Sequence, residues 1–175
     1  MIIENSSSNN TYNEIKAKIN SKDIDMEKDI LITLKNINNI NNLSNMFNDC
    51  TNIISLDIKF NFDTQIITNM SYMFLNCISL ENLSISSTSN INTSNVTNLC
   101  GIFAKCKKLK ELPDIISDWT ISNVTNMSYM FAYCENLENL PNISNWETLN
   151  VNDMSSIFLN CKKINSLSDI SSWKT

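Results

Sequence analysis

Histidine is absent from this chain of 175 residues, glycine occurs once and proline occurs twice. Histidine is the side chain that most often transfers protons in catalysis, and the sequence also lacks a glycine-rich phosphate loop. We therefore expect a protein that is not an enzyme, with no catalytic, cofactor-binding or metal-binding residues. The shortage of glycine and proline, which are preferred turn residues, also argues against a sandwich or barrel with many tight turns.

Long apolar runs are missing as well, because no stretch of about 18 apolar residues occurs, which argues against a membrane-spanning helix. Residues 1–6 contain neither a basic start nor an apolar core segment, so no secretory signal is visible. The six cysteines include no Cys-x-x-Cys pair. We predict reduced thiols and a cytoplasmic or otherwise intracellular protein, with the cell surface as the alternative if the sequence is a fragment. The net charge of −5 argues against nucleic-acid binding.

A repeated motif organises the chain, and residues 123–134 contain its clearest copy. The motif recurs at spacings of 27, 29, 28 and 27 residues, anchored on Phe47, Phe74, Phe103, Phe131 and Phe158. A period between about 20 and 50 residues is typical of stacked-repeat architectures. We number the copies one to five, and they begin at residues 40, 67, 96, 124 and 151.

The first part of each copy predicts a short helix. In copy four, for example, apolar side chains occur at offsets of 0, 3, 6 and 7 residues, at Val124, Met127, Met130 and Phe131. These offsets place the side chains on one face of a helix. The second residue of each copy is asparagine or threonine, which are good helix N-caps. The predicted caps are Asn41, Thr68, Thr97, Thr125 and Asn152.

The second part of each copy predicts a short strand, because a pattern of the Cys-x-x-Leu-x-x-Leu type follows the phenylalanine. Copies one and two continue as Leu-x-Ile, which keeps the alternation of a strand. In copies three to five the spacing lengthens to Leu-x-x-Ile, and Pro113 and Pro141 follow the leucine in copies three and four. Because proline cannot donate a ladder hydrogen bond, we expect these later strands to be about three or four residues long.

The sequence divides into three segments. Residues 1–10 are predicted to be a disordered tail. Residues 11–39 are predicted to be an N-terminal β cap with strands at Glu14–Ile19 and Asp29–Leu34, which would cover the open end of the repeats. Residues 40–175 contain the five copies, of which the last is incomplete and has no C-terminal cap.

Copy four resembles a known repeat through Val-Thr-Asn-Met-Ser-Tyr-Met-Phe-Ala-Tyr-Cys at 124–134, with Leu137, Leu140 and residues 143–148. The resemblance is to BspA-like, mycoplasma-type surface proteins, a divergent leucine-rich-repeat family, and it covers residues 40–175. It implies an α/β repeat solenoid, a leucine-rich-repeat-like right-handed coil with one short parallel strand and one short helix per turn. Bacterial relatives are mostly secreted or lipid-anchored surface proteins implicated in adhesion and protein binding.

Several sets of equivalent side chains allow both a functional and a structural interpretation. The repeated cysteines could bind metal or form disulfides, but zinc needs four converging ligands and free cysteine is usually buried, so core thiols are favoured. The methionine and phenylalanine stripe and the tryptophan column are likewise better explained as core than as a binding groove or ligand platform. A small basic patch could bind phosphate, although a solvated edge is favoured; it consists of Lys105, Lys107, Lys108, Lys110, Lys162 and Lys163.

A binding surface is predicted on the strand face, because side chains alternate along a strand and stacking aligns the outward ones into a ribbon. The predicted partner-binding residues of this ribbon are Ser55, Asp57, Asn82, Ser84, Glu111, Asn139, Ser166 and Ser168. Tyr72, Tyr129 and Tyr133 are competing anchors on the helix side.

These features together predict a non-catalytic protein–protein interaction module with a protein partner and no cofactor. One alternative is a cell-surface adhesin like the bacterial relatives. Another is a structural element that self-associates through the uncapped C-terminal edge.

Overall fold

The computed structural model describes residues 2–4, 30–35, 40–61, 64–87, 91–165 and 167–173. These residues contain a four-stranded parallel sheet in the order β1-β2-β3-β4. Two short 3₁₀ helices complete the regular elements, whose bounds are β1 Ile2–Glu4, β2 Ile30–Lys35, β3 Ser55–Asn61, β4 Asn82–Ser87, and the 3₁₀ helices Thr64–Ile66 and Asp114–Asp118.

The copies lie side by side, and a ladder of backbone hydrogen bonds joins the first part of each copy to the next. Every second N–H in one copy donates to a carbonyl of the following copy, as from Leu43 to Asn69 at 2.8 Å and from Phe47 to Met73 at 2.8 Å. Asn45 and Asp49 are the other two donors of copy one. The donors at the next three interfaces are Met70, Tyr72, Phe74 and Asn76, then Leu99, Gly101, Phe103 and Lys105, and then Met127, Tyr129, Phe131 and Tyr133.

The predicted helix in each copy is wrong, because the segment is a series of tight turns. In copy one, Met46 N–H donates to the carbonyl of Leu43, and Cys50 N–H donates to that of Phe47, each three residues earlier. An α-helix would instead require bonds to the carbonyl four residues earlier and negative φ throughout. Asn45 has φ 58° and Asp49 has φ 61°, the positive values that a type II turn requires at its third residue.

Residues with positive φ recur four positions apart in every copy, so the turns are a property of the repeat. In copies two to five they are Tyr72, Asn76, Gly101, Lys105, Tyr129, Tyr133, Ser156 and Asn160. The offsets of 0, 3, 6 and 7 predicted a helix because consecutive turns return the inward side chains to the same face at nearly helical spacing. The hydrogen bonds that would have closed the helix go to the neighbouring copy instead.

The predicted N-caps are also wrong, since the capping interaction belongs to the following residue. Asn126 Oδ1 accepts a hydrogen bond from the N–H of Ser128 at 2.9 Å, a local Asx turn. The hydroxyl of Thr125 instead donates to the carbonyl of Thr97 in the preceding copy at 3.2 Å. The same Asx turn occurs at the equivalent positions Asn42, Asn69, Asn98 and Asp153.

The anchor phenylalanines form a continuous internal row, as predicted. Successive rings from Phe47 to Phe158 lie 5.4–6.0 Å apart between centroids and are within 7° of parallel. Trp146 and Trp173 stack in the same way at 6.0 Å. Stacked aromatic pairs add about 0.5–1.5 kcal/mol each beyond the area that they bury.

The N-terminal segments differ in part from their predictions. The second predicted strand, Asp29–Leu34, is confirmed as β2, which pairs with β3. Residues 2–4, inside the predicted disordered tail, form β1 beside β2. The predicted strand Glu14–Ile19 lies outside the described residues, and the β cap as a whole stays a prediction.

The predicted α/β, leucine-rich-repeat-like solenoid is wrong. Its helix in each turn is replaced by turns, and no α-helix occurs in the described residues. Its strand in each turn is present only in copies one and two, as β3 and β4. In the described parts of copies three to five, the corresponding stretches carry a single bridge between Glu111 and Asn139, shorter than the predicted strands.

Candidate protein-binding surface

The first part of the predicted ribbon lies on β3 and β4. The register of these strands places Ser55 beside Asn82 and Asp57 beside Ser84. Asn82 and Ser84 are exposed, whereas Ser55 and Asp57 are half-buried. The structure therefore brings these four predicted residues together on one face.

The second part of the ribbon is separate from the first. Glu111 and Asn139 are exposed and joined by a parallel bridge. Ser168 is half-buried, and its hydroxyl oxygen accepts a hydrogen bond from the N–H of Ile143 at 3.2 Å. Ser166 lies outside the described residues. The partner-binding role of all eight residues stays a prediction.

The ribbon breaks because copy three adds no strand to β4, which ends the order of the sheet. Copy three has Pro113 at this point, and the 3₁₀ helix Asp114–Asp118 begins directly after it. Proline lacks the N–H that a ladder would need, and the helix takes the chain away from strand geometry. The turn segments of copies two and three remain joined by four hydrogen bonds, so the two copies separate only on the strand side.

An open groove of about 270 Å³ occupies this break between copies two and three. Its walls are Glu81, Asn82 and Leu83 on one side and Glu111, Leu112, Pro113 and Asp114 on the other. The predicted partner-binding residues included Asn82 and Glu111, and strand alternation also placed Pro113 on the outward ribbon; the other four lining residues were missed. The sequence signal for the groove is the longer Leu-x-x-Ile spacing at Pro113, which by itself predicts only that the strand ends there.

The inward side chains of β4 are less covered than those of β3. Leu56 and Ile58 in β3 are 1% and 0% exposed, whereas Leu83 and Ile85 at the paired positions of β4 are half-buried. The difference arises because, among the described strands, β3 has a neighbour on each side and β4 has one only on the β3 side. The groove therefore combines an unpaired strand edge with partly exposed apolar side chains.

The charge of the groove is negative. The Glu81 carboxylate pairs with the Lys108 ammonium at 3.1 Å. Glu111 and Asp114 have no ion pair within the described part of the chain. A partner that enters the groove therefore meets two carboxylates that no described lysine pairs with.

The predicted basic patch is a line of ion pairs between copies. Lys107 and Lys162 both contact the carboxylate of Glu135, and Lys163 lies 3.8 Å from that of Glu138. Hydrogen bonds from Lys162 and then Lys107 lower the pKa of Glu135 below its ordinary value. Because four of its six lysines face a carboxylate, the patch fits a solvated edge better than a phosphate site.

The cysteines are free thiols, and all but Cys161 are buried. The thiols three residues after the anchor phenylalanine donate, from copy two onward, to the carbonyl of the anchor phenylalanine in the preceding copy, as Cys106 does to Phe74 at 3.2 Å and Cys134 to Phe103 at 3.1 Å. Burial raises the pKa of Cys50 to about 12. Since the thiolate is the nucleophile and metal ligand, these environments suppress both roles. The described residues contain no cluster of three or more His, Cys, Asp or Glu side chains suited to a metal ion.

The three competing tyrosines lie on the turn side of the molecule and are exposed. The hydroxyl oxygen of Tyr72 accepts a hydrogen bond from the Cys100 thiol at 3.0 Å. Gly101 lies directly beneath the ring, where a Cβ atom would approach Tyr72 Cδ1 to 2.7 Å. Tyr72 is therefore held by its neighbours, which fits a covering role.

Comparison with known families identifies the chain at a coarse level. A family model described as Mycoplasma protein of unknown function, DUF285, matches residues 13–111 and 79–175. The chain belongs to the DUF285 family. The predicted mycoplasma-type family is confirmed at this level. No curated protein and no solved structure matches this DUF285 chain. Among its described residues, no helix has the length and apolar character needed to cross a membrane.

Proposed function

We propose that this DUF285 protein is a BspA-like, non-catalytic module that binds another protein through its strand face. The observation that carries the proposal is the exposed polar row of Asn82, Ser84, Glu111 and Asn139, which flanks the groove between copies two and three. Backbone pairing holds Asn82 and Ser84 against β3 on one side of the groove, and Glu111 against Asn139 on the other. Repeat proteins commonly bind through extended faces of this kind.

The chemistry of the other conspicuous residues supports the same function. Raised thiol pKa values and lysines paired with carboxylates leave the cysteine column and the basic patch with structural roles. The strand face remains as the surface where polar side chains, apolar side chains and unpaired backbone groups occur together. This combination is what a protein partner requires, because its own backbone and side chains can satisfy all three.

Site-specific photo-crosslinking tests the proposal. A photoreactive residue is placed at Ser84 or Asn139 on the strand face, or at Asn123, an exposed residue on a connecting loop, as the matched control. After incubation with extract of the source cells, we expect the same partner protein to be crosslinked from both strand-face positions but not from the control. Crosslinks from Asn123 alone, or none from either strand-face position, would refute the function.

A second candidate function is head-to-tail self-association through copy five. The N–H groups of Thr68, Thr97, Thr125 and Asn152 donate to the preceding copy, whereas the four ladder bonds of the turn segment at each interface run from the N–H groups of one copy to the carbonyls of the next. The equivalent N–H groups of copy five have no acceptor among the described residues; they belong to Met154, Ser156, Phe158 and Asn160. Two such edges cannot pair with each other, because donors would meet donors. Light scattering tests this candidate, and a monomer at high concentration contradicts it.

The adhesin alternative rests on the BspA resemblance alone. Protease treatment of intact source cells tests it, because an exposed adhesin would release peptides of this chain. Retention of the intact chain in cells that lose other surface proteins would contradict it.

A further inference from the structure

The edge of β4 that faces the groove offers unpaired backbone groups. Asn82 N–H donates to the carbonyl of Ile54, so the backbone of Asn82 is directed towards β3. Alternate residues of a parallel strand direct their N–H and C=O groups to opposite neighbours. The N–H and C=O groups of Leu83 and Ile85 therefore point away from β3, to the side where Leu83 lines the groove, and no described strand pairs with them.

A strand added beside β4 would cover the edge of β4 in the same way as β4 covers the edge of β3. Pairing with β4 covers one edge of β3, and Leu56 and Ile58 of β3 are almost fully buried. A strand in the groove would satisfy the free edge of β4. Apolar side chains at every second position of that strand would also cover Leu83 and Ile85, which are half-buried.

The charge of the groove determines the other side chains of the occupant. Glu111 and Asp114 line the groove without an ion pair from the described residues, while Glu81 is already paired with Lys108. Lysine or arginine at the alternate positions of an added strand would lie towards these carboxylates. Opposite charges across an interface favour the correct partner and increase the rate of association.

We propose that the free edge of β4 binds an extended segment of a partner protein, with alternating apolar and basic residues, as an added strand between copies two and three. This inference rests on the proposed function, for which it names the partner chemistry. It corresponds to recognition by β-augmentation, in which main-chain hydrogen bonds give affinity and alternate side chains give specificity.

A second molecule of this protein is a poorer occupant of the groove. Pairing of two β4 edges would bring Glu111 and Asp114 of each molecule towards the carboxylates of the other. Like charges that face each other across an interface oppose association. This arrangement is also distinguishable in solution, because it would make the protein a dimer that high salt strengthens.

The experiment is a selection of displayed random peptides of about ten residues, the upper length of a typical strand, against the intact chain. Enriched peptides are synthesised, and their affinity is measured by fluorescence polarisation. We expect alternating apolar and basic sequences. N-methylation on the hydrogen-bonding edge of the peptide should abolish binding, whereas N-methylation on the opposite edge should not.

Two pairs of variants locate the site. Glu111→Lys should weaken binding by about fivefold or more through the loss and reversal of a rim charge, while Glu147→Lys, an equal charge change outside the groove, should not. Ile85→Pro removes one groove-facing N–H and should abolish binding, while Ile85→Val retains it. If Ile85→Pro fails to fold, as judged by circular dichroism, the comparison of Glu111→Lys with Glu147→Lys decides the result, because both residues are exposed.

Three results would overturn the inference: no enriched peptide, peptides unaffected by N-methylation and by Glu111→Lys, or a salt-strengthened dimer that excludes peptide. The proposed function is judged separately by the photo-crosslinks. A partner that crosslinks at Asn139 while peptide binding is insensitive to Glu111→Lys would preserve the interaction module and reject the β4 site. Absence of both crosslinks and peptides would reject both.

Discussion

Copies four and five have nearly the same apolar pattern but very different environments. Phe131 and Met130 in copy four are 0% exposed, whereas Phe158 and Ile157 at the same positions in copy five are half-buried. The donor N–H groups of copy four reach carbonyls of copy five, while those of copy five reach none in the described residues. Burial and backbone satisfaction of a copy are therefore supplied by the copy that follows it.

The largest expected effect comes from the phenylalanine row. Phe131→Ala should lower the free energy of unfolding by about 3–5 kcal/mol, because it leaves a cavity between two stacked rings. Phe158→Ala should cost about half as much, since its ring is half-buried and stacks on one ring among those described. Urea unfolding followed by circular dichroism measures both. Equal losses would show that the following copy does not supply the burial.

Gly101 and Ser156 occupy the same turn position, inside the repeats and in copy five. Gly101→Ala should lower the free energy of unfolding by about 1–3 kcal/mol, because alanine is strained at φ 57° and its Cβ would displace the ring of Tyr72. Ser156→Gly should instead raise stability slightly, since glycine relieves the same φ. Thermal unfolding of the two variants checks the signs. A neutral Gly101→Ala variant would contradict the close packing of Tyr72.

The Asx turns provide a smaller contrast between the two copies. Asn126→Ala in copy four should lower the free energy of unfolding by about 1 kcal/mol, because the N–H of Ser128 would lose its acceptor at a half-buried site. Asp153→Ala in copy five should have a smaller effect, since solvent reaches the N–H of the exposed Ser155. Urea unfolding ranks the pair, and a larger loss from Asp153→Ala would reverse the comparison.

The smallest effect is a dependence on pH in the Asx turn of copy five, where the other copies have asparagine in place of Asp153. Hydrogen bonds from Ser155, first from its N–H, lower the pKa of Asp153 below the ordinary value. Its contribution to stability is therefore complete above the unfolded pKa and is lost as the pH falls through the folded pKa. An NMR titration of the Ser155 amide should give a midpoint below about 3.9. Asp153→Asn should abolish the transition, and a midpoint at or above this value would contradict the shift.

The identity of the buried side chains could be predicted from the sequence more fully than the path of the backbone. The period of about 27–29 residues was sufficient to align the phenylalanines and the cysteines, because stacked copies place equivalent side chains next to each other. The turns were not predicted, since apolar offsets of 0, 3, 6 and 7 fit a helix and a series of turns equally well. Tyrosine and lysine at positive φ carry no local signal of a turn, as at Tyr129 and Lys105.

The candidate site was predicted only in outline. The polar positions of β3 and β4 followed from strand alternation, but the groove depends on how far copy three departs from β4. Pro113 and the longer Leu-x-x-Ile spacing marked the position of that departure without giving its size or its other wall.

The sequence by itself determined which side chains are equivalent and which of them are apolar, because the repeat is a property of the order of the residues alone. Only the tertiary structure decided where the backbone hydrogen bonds go, since each copy of about 27–29 residues satisfies its N–H groups on its neighbour. Because these hydrogen bonds go to the neighbouring copy, turns form in place of helices. The groove lies where copy three does not pair with β4.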